Sequence, residues 1–432
     1  MRQPSPIDKI TAPVNKFIHQ EHTSGIVLFI SVLVAIIWVN SPLQHFYHDL
    51  WDIKLSLGFG GYVLDHSLHL WINDGLMAVF FFVIGLELKR EFMAGELSTI
   101  KKASLPMVAA LGGMLVPALI YFFINKGTTA EHGWGIPMAT DIAFALALLS
   151  IAGKHIPTSV KVFLSALAVA DDLGAVLVIA IFYSSHIALM PLTIGMWLLV
   201  ILLIGNKLGI RSIIFYLVIG FGVWVAFLLS GVHATIAGVL VAFTIPARTR
   251  INEKNYAESL RKLLFDFEKA IPNNSTLTTP EQHDTIEKIK ELSMDAETPL
   301  QKVEFALHPW VAFVVMPLFA LANAGIVIGS NFFSSLVNPV SLGVAVGLLA
   351  GKFIGVLLAT WLMVKFGAQL PAKASWKQIV GVALLAGVGF TMSLFISGLA
   401  FTHPEMIDQA KYGILLASLL AGVLGVMMLK KS

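Results

Sequence analysis

Cysteine is absent from the 432 residues. That excludes a disulfide framework, a thiolate-ligated zinc site and a thiol nucleophile. Charge is nearly as scarce. Asp, Glu, Lys and Arg make up 13% of the chain, against about 25% in soluble domains. Apolar residues reach 57%, and mean hydropathy is +0.81. So few charges cannot cover the water-facing surface of a soluble protein this long. The formal net charge of +3 is too small to argue for a nucleic-acid partner. A secretory leader is not expected either. Residues 1–23 are too long and too mixed in charge for an n-region. The apolar run after them ends at Trp38-Val39-Asn40-Ser41-Pro42 without a small-x-small cleavage site.

Long apolar runs dominate what is left. A helix crossing a bilayer needs about 20 mostly apolar residues. Twelve such spans are expected, at 24–41, 71–88, 103–124, 133–153, 160–183, 188–205, 211–229, 231–246, 309–328, 339–364, 377–400 and 411–430. The division at Ser230-Gly231 is the thinnest. Lysine and arginine distinguish the two sides. With the N-terminus cytoplasmic, 25 of the 29 fall in inside segments. Lys54, Lys126 and Lys411 fall outside, and Lys352 lies within a span. This asymmetry predicts cytoplasmic termini and an even number of spans. The fold class expected is an all-α integral membrane protein, a single transmembrane domain over 1–432.

Two segments between spans have their own character. Residues 52–64 alternate apolar with small or polar residues around Gly60-Gly61, which predicts an outer-face β-hairpin. Its edge can pair with a second copy to form a homodimer, or it can be a lone amphipathic flap. Residues 247–308 form a polar cytoplasmic insertion. One helix is expected over Tyr256–Ala270 and a second after Thr279-Pro280-Glu281-Gln282, where Thr279 and Gln282 make a capping box. Asn273-Asn274-Ser275 reads as the link between them. A surface hairpin without a role in the chemistry is the plain reading of this insertion.

Charge at membrane depth carries the functional signal. Asp141, Asp171, Asp172 and Lys352 stand near span centres. On insertion scales the four together cost on the order of 10–14 kcal/mol before partners offset it. Asp171 and Asp172 are neighbours on a helix and point about 100° apart, so they need different partners and have different roles. Adjacent carboxylates in a buried setting resist double ionisation, which suits one of them to trade a proton for a cation. Lys352 ends a run of glycines, Gly343, Gly347 and Gly351, continued by Gly355. Such a stripe admits another helix closely and holds the lysine inside the bundle. Asp171 or Asp172 is its partner.

Two spans carry signs of interruption. Pro137 precedes Ala139-Thr140-Asp141 and predicts unwinding there, which frees Thr140 and nearby carbonyls to face a cation. Gly387 and Gly389 weaken the eleventh span in the same way, although packing glycines would give the same pattern. Interrupted spans in both halves point to a transporter's binding site. The oxygen ligands suit Na⁺ or Li⁺ better than soft metals, and a divalent ion asks for more carboxylates. No cofactor is called for; the cation is cargo.

These residues together resemble the NhaA-type sodium/proton antiporters over nearly the whole chain. The resemblance rests on Asn73-Asp74-Gly75-Leu76-Met77, Gly85-Leu86-Glu87-Leu88-Lys89-Arg90-Glu91, Ala139-Thr140-Asp141, Asp171-Asp172-Leu173-Gly174, Ser230-Gly231-Val232-His233, Ala322-Asn323-Ala324-Gly325, Gly351-Lys352 and Gly389-Phe390-Thr391-Met392-Ser393, in order. It implies inverted repeats with two discontinuous crossed helices, spans 4 and 11; this family is among those from which the inverted-repeat rule was drawn. It also implies exchange of Na⁺ or Li⁺ for two protons across the bacterial inner membrane, electrogenic and switched by pH. Asp172 is then the main ion ligand and Asp171 the partner of Lys352. Thr140 and Asp141 belong to the helix crossing, and Glu87, Arg90, Glu91 and Glu304 to the pH-sensing cluster. Read from the residues alone, Glu87–Glu91 is a charged helix end and His233 a structural histidine. The insertion at 247–303 is longer than the family leads one to expect and abuts Glu304.

Two other classes compete. A proton- or sodium-coupled carrier of an organic anion can use crossed, broken helices but needs a larger cavity. An intramembrane aspartyl enzyme needs its carboxylates on separate helices, facing each other.

Overall fold

The computed structural model describes residues 21–59, 62–153, 155–184, 187–270, 277–329 and 336–432. The N-terminal basic residues, the Gly60-Gly61 tip and the Asn273-Asn274-Ser275 link lie outside these. Among the described residues the architecture is helical except for one hairpin. Helix α1 (Glu21–Val39) turns by 114° into α2 (Gln44–Asp52). Strands β1 (Lys54–Phe59) and β2 (Tyr62–Ser67) pair antiparallel from Lys54↔Ser67 to Phe59↔Tyr62, so the hairpin runs three residues beyond the expected 52–64. Then follow α3 (Leu68–Ala94), α4 (Ile100–Asn125), a 3-10 segment at Glu131–Met138 and α5 (Ile142–Ala152). Helices α6 (Thr158–Phe182), α7 (Leu189–Lys207), α8 (Ile213–Ser230) and α9 (Ala234–Thr244) complete the first half.

The insertion contributes α10 (Glu253–Lys269) and α11 (Pro280–Ala296). Asn252 caps the first helix, so it starts three residues earlier than the apolar spacing suggests. The second opens with a reciprocal Thr279–Gln282 capping box. After it come α12 (Pro299–Asn323), α13 (Pro339–Lys365), the bent pair α14 (Trp376–Leu385) and α15 (Phe390–Ala400), and α16 (Pro404–Lys430).

Among the described residues, eight helices are long and apolar enough to cross a bilayer, and up to eleven spans result if each bent pair counts once. The eighth expected span, 231–246, is where sequence and structure differ. It forms only the eleven residues of α9. At 1.5 Å per residue that is about 16 Å, half of a hydrocarbon core of about 30 Å. Gly231 breaks the chain before it with φ +79°, and Ile245-Pro246 stops it. Hydropathy counts apolar residues but does not see that only eleven are helical.

Among the described residues, three helices contain a π-helical turn, at Trp71–Leu76 in α3, Val311–Val315 in α12 and Gly347–Gly351 in α13. None shows as a composition signal, because the residues are ordinary span residues. Such turns recur at functional sites.

The glycine stripe of α13 forms a seam with α4. A Cβ at Gly355 would overlap the Gly112 carbonyl, and one at Gly351 would press on the Pro117 backbone. Gly347 lies against Pro117 and Pro137. This contact brings Lys352 beside Gly113, whose Cβ would meet the lysine at 3.6 Å. Gly355→Val is therefore expected to cost about 1–3 kcal/mol or more through overpacking against fixed backbone. Thermal unfolding in detergent reads this directly; an unchanged midpoint would show that the seam yields.

The insertion is tied at its base. Leu300 N–H donates to Pro246 O at 3.1 Å and Arg250 N–H to Asp295 O at 3.0 Å. The Arg211 guanidinium donates to Glu297 O. Lys89 donates to Phe243 O (2.7 Å) and Ile245 O (2.5 Å), capping the carbonyl end of α9.

Candidate ion-exchange site

The two breaks meet. Residues Ala139 to Asp141 and Val388 to Gly389 lie between helices, so those of their backbone groups that no helix pairs need other partners. Asp141 N–H donates to Val388 O at 2.7 Å, and Ser393 Oγ donates to Ile136 O at 2.9 Å. Each break therefore satisfies the other, which lets unwound chain persist in an apolar interior.

Asp141 serves both. Its Oδ1 accepts from Phe144 N–H at 3.0 Å and caps α5. Its Oδ2 accepts from the N–H of Thr391 at 3.0 Å and from the Thr391 hydroxyl at 2.5 Å. Thr391 lies in the first turn of α15. One carboxylate thus faces the positive ends of two helices, where negative charge is favoured. Both of its oxygens are engaged, so Asp141 ties the two breaks together. Thr391 was quoted in the sequence motif but given no role. Its position two residues after Gly389, at a helix start, was the available signal. Thr391→Val is expected to lower stability by about 1.5–3 kcal/mol, the range for a hydrogen bond to a charged group. Thr391→Ser should restore it. Equal unfolding midpoints for Val and Ser would remove the bond from the account.

The aspartate pair lies next to the breaks, wholly buried on α6 together with Lys352 on α13. Lys352 Nζ is 2.5 Å from Asp171 Oδ2. Of the two partners open to it, the lysine takes Asp171. Thr140 Oγ1 is 2.7 Å from the same Asp171 oxygen and 2.9 Å from Ala386 O. A hydroxyl has a single proton and serves only one of these acceptors at a time. Asp171 Oδ1 and both oxygens of Asp172 have no hydrogen-bond partner. Three carboxylate oxygens buried without a protein partner are a concentration of negative potential that a small cation or protons would relieve. Pro137, Gly387 and Gly389 flank this space; a Cβ at Gly387 would strike Leu348 O.

A second charged cluster sits at the end of α3. Arg90 Nη2 is 3.4 Å from Glu91 and 4.0 Å from Glu87. Arg90 Nε is 3.1 Å from Glu304 Oε1, an ion-pair distance without hydrogen-bond alignment. Glu304 Oε2 has no hydrogen-bond partner, and Glu91 also accepts from Glu96 N–H at 3.0 Å. The four residues named from the resemblance are thus one contact group across α3 and α12. Lys89, beside Arg90, was not singled out by sequence reasoning. His233 precedes α9 and bonds Tyr183 O at 2.7 Å through its ring Nε2, a structural tie between two chain turns.

The Na⁺/H⁺ antiporter 1 family pattern matches residues 15–429. The chain belongs to that family. It is 49% identical over 429 residues to a protein of Oleidesulfovibrio alaskensis named Na(+)/H(+) antiporter NhaA, covering 99% of this chain and 95% of the relative. It is 47% identical to Na(+)/H(+) antiporter NhaA 2 of Syntrophotalea carbinolica, covering 97% and 96%. A third antiporter, from Saccharophagus degradans, is 45% identical over 98% of this chain and 92% of its own length. An antiporter family is a family of transporters rather than enzymes, which removes the aspartyl-enzyme reading. Membership together with the apolar helices makes this a multi-pass bacterial membrane protein.

Proposed function

We propose that this antiporter exchanges Na⁺ or Li⁺ for protons across the inner membrane, and that both compete for the Asp171–Asp172 pair. The carrying observation is Asp172, a buried carboxylate with neither oxygen partnered, one residue from an Asp171 that already holds Lys352 and Thr140. In this reading Asp172 is the main ligand and Asp171 joins when the cation draws it from Lys352. The Thr140 hydroxyl then turns its oxygen to the ion. Facing outward the site takes protons and releases Na⁺; facing inward it does the reverse. Two protons per cation make the cycle electrogenic. A twelve-span topology in which the short α9 with its flanking extended chain serves as the eighth span, crossed spans 4 and 11, cytoplasmic termini and a homodimer through the β1–β2 hairpin belong to the same proposal.

Reconstituted protein under an imposed pH gradient tests it. Na⁺ or Li⁺ should collapse the gradient and K⁺ should not. No collapse between pH 6 and pH 9 with folded protein would favour an organic-solute carrier.

Regulation by pH is assigned to Glu87, Arg90, Glu91 and Glu304. Glu304 lies five residues after Pro299, at the foot of the insertion. Glu304→Gln is expected to displace the pH–rate curve while leaving the rate at its optimum in place. A superimposable curve would take the cluster out of regulation.

A further inference from the structure

We infer that the crevice between α3, α8 and α9 is a binding slot for one acyl chain of a phospholipid from the surrounding bilayer. The cavity holds about 360 Å³ and is bounded by residues of these three helices and by Leu307 of α12. Gly75 leaves room between Trp71 and Trp224, while Gly220 and Gly238 bring the three helices close enough to enclose it.

The slot is built rather than left over. Its large aromatic walls are pinned through their polar atoms, and each polar atom is turned to backbone. Trp71 Nε1 donates to Leu55 O at 3.0 Å, Trp224 Nε1 to Asp74 O at 3.2 Å, and Tyr216 Oη to Ile210 O at 2.9 Å. The Trp71 and Trp224 rings lie 6.1 Å apart, and Phe221 extends the wall 5.6 Å from Trp224. With those atoms engaged, these walls present flat apolar faces. Such a space suits hydrocarbon and gives a headgroup, an ion or water nothing to hold.

Length and position select the occupant. From Trp71 to Phe82 the wall advances eleven residues, about 16 Å of helix. That is close to half of a hydrocarbon core of about 30 Å, the depth of one leaflet. The slot is also continuous with the bilayer-facing surface. Phe221 and Leu217 at its rim are 60% and 46% exposed on a helix that crosses the membrane. An acyl chain therefore reaches it from the bilayer without passing through protein or water.

The test uses the full-length protein in bilayers and native mass spectrometry after a delipidating wash. The unmodified protein should retain one phospholipid per protomer that Gly75→Leu does not. A Cβ at Gly75 would meet Trp71 at 3.7 Å and Trp224 at 4.0 Å, so the added side chain enters the slot without striking backbone. Equal phospholipid retention in both proteins, or retention of detergent alone, overturns the inference. A second measurement does not depend on that variant folding. Phospholipid brominated at mid-chain should quench Trp224, which is only 9% exposed, as strongly as Trp197, which is 69% exposed. Each share is read by replacing that tryptophan with Phe. A Trp224 that no brominated chain reaches leaves the slot without its ligand.

Discussion

Asp172→Asn should abolish Na⁺-driven proton movement and, in the same protein, leave the melting temperature unchanged or raise it. The two halves of this result have one cause. Asp172 is fully buried, and neither carboxylate oxygen has a partner. A buried charge without partners destabilises a fold, so its removal at constant shape relieves strain on the bundle. Those same unpartnered oxygens are what a cation would bind. Replacing it by a neutral amide should lower apparent Na⁺ affinity by about a hundredfold or more, roughly 3 kcal/mol of ion binding. Proteoliposome exchange and thermal unfolding in detergent read the two effects independently. Full exchange in the variant would refute the aspartate-pair mechanism. A large drop in melting temperature would mean that Asp172 has a structural partner after all.

The second large effect concerns Lys352. Lys352→Met leaves Asp171 buried with only Thr140 facing it, and removing one partner of a buried ion pair typically costs about 3–5 kcal/mol. Asp171→Asn with Lys352→Met should recover most of that loss, because an apolar or neutral pair replaces a charged one. The four-way comparison of melting temperatures isolates the coupling. Additive losses would mean that the 2.5 Å contact contributes nothing to stability. The transport readout separates a different question. If Lys352→Met still moves net charge in each cycle, the lysine is not the obligatory carrier of the second proton.

The parts of this site visible in the sequence are those that violate the rules of a membrane span. Asp141, Asp171, Asp172 and Lys352 stood out because charge there is costly, and Pro137 and Gly389 because they interrupt helices. The choice of Asp171 for Lys352 was not visible in the residues themselves; only the resemblance named it. Two adjacent residues on a helix face different directions, and nothing local says which one meets α13. Thr391 was hidden for another reason. It is an unremarkable span residue until α5 and α15 start side by side and share Asp141. The clustering of Arg90 with Glu304 joins positions 214 residues apart, and only the resemblance brought them together in advance. The short α9 escaped because hydropathy averages over a window, while Gly231 and Pro246 act at single positions.

The π-helical turn at Gly347–Gly351 ends directly before Lys352. A π turn holds one residue more than the ladder around it and takes that residue up locally. Deleting one of those five residues would restore an ordinary α-helical count and leave Lys352 on its Asp171 face. Keeping all five while the turn rewinds to α-helix would instead rotate Lys352 by about 100° relative to the preceding part of α13. The seam glycines before the turn would then keep their contacts with α4 while the ammonium group swung off the Asp171 face. The address of the lysine is thus written in the winding of the helix before it as much as in its identity. A homologue aligned with a one-residue gap here would present the same lysine to the same neighbour from a helix that is α throughout.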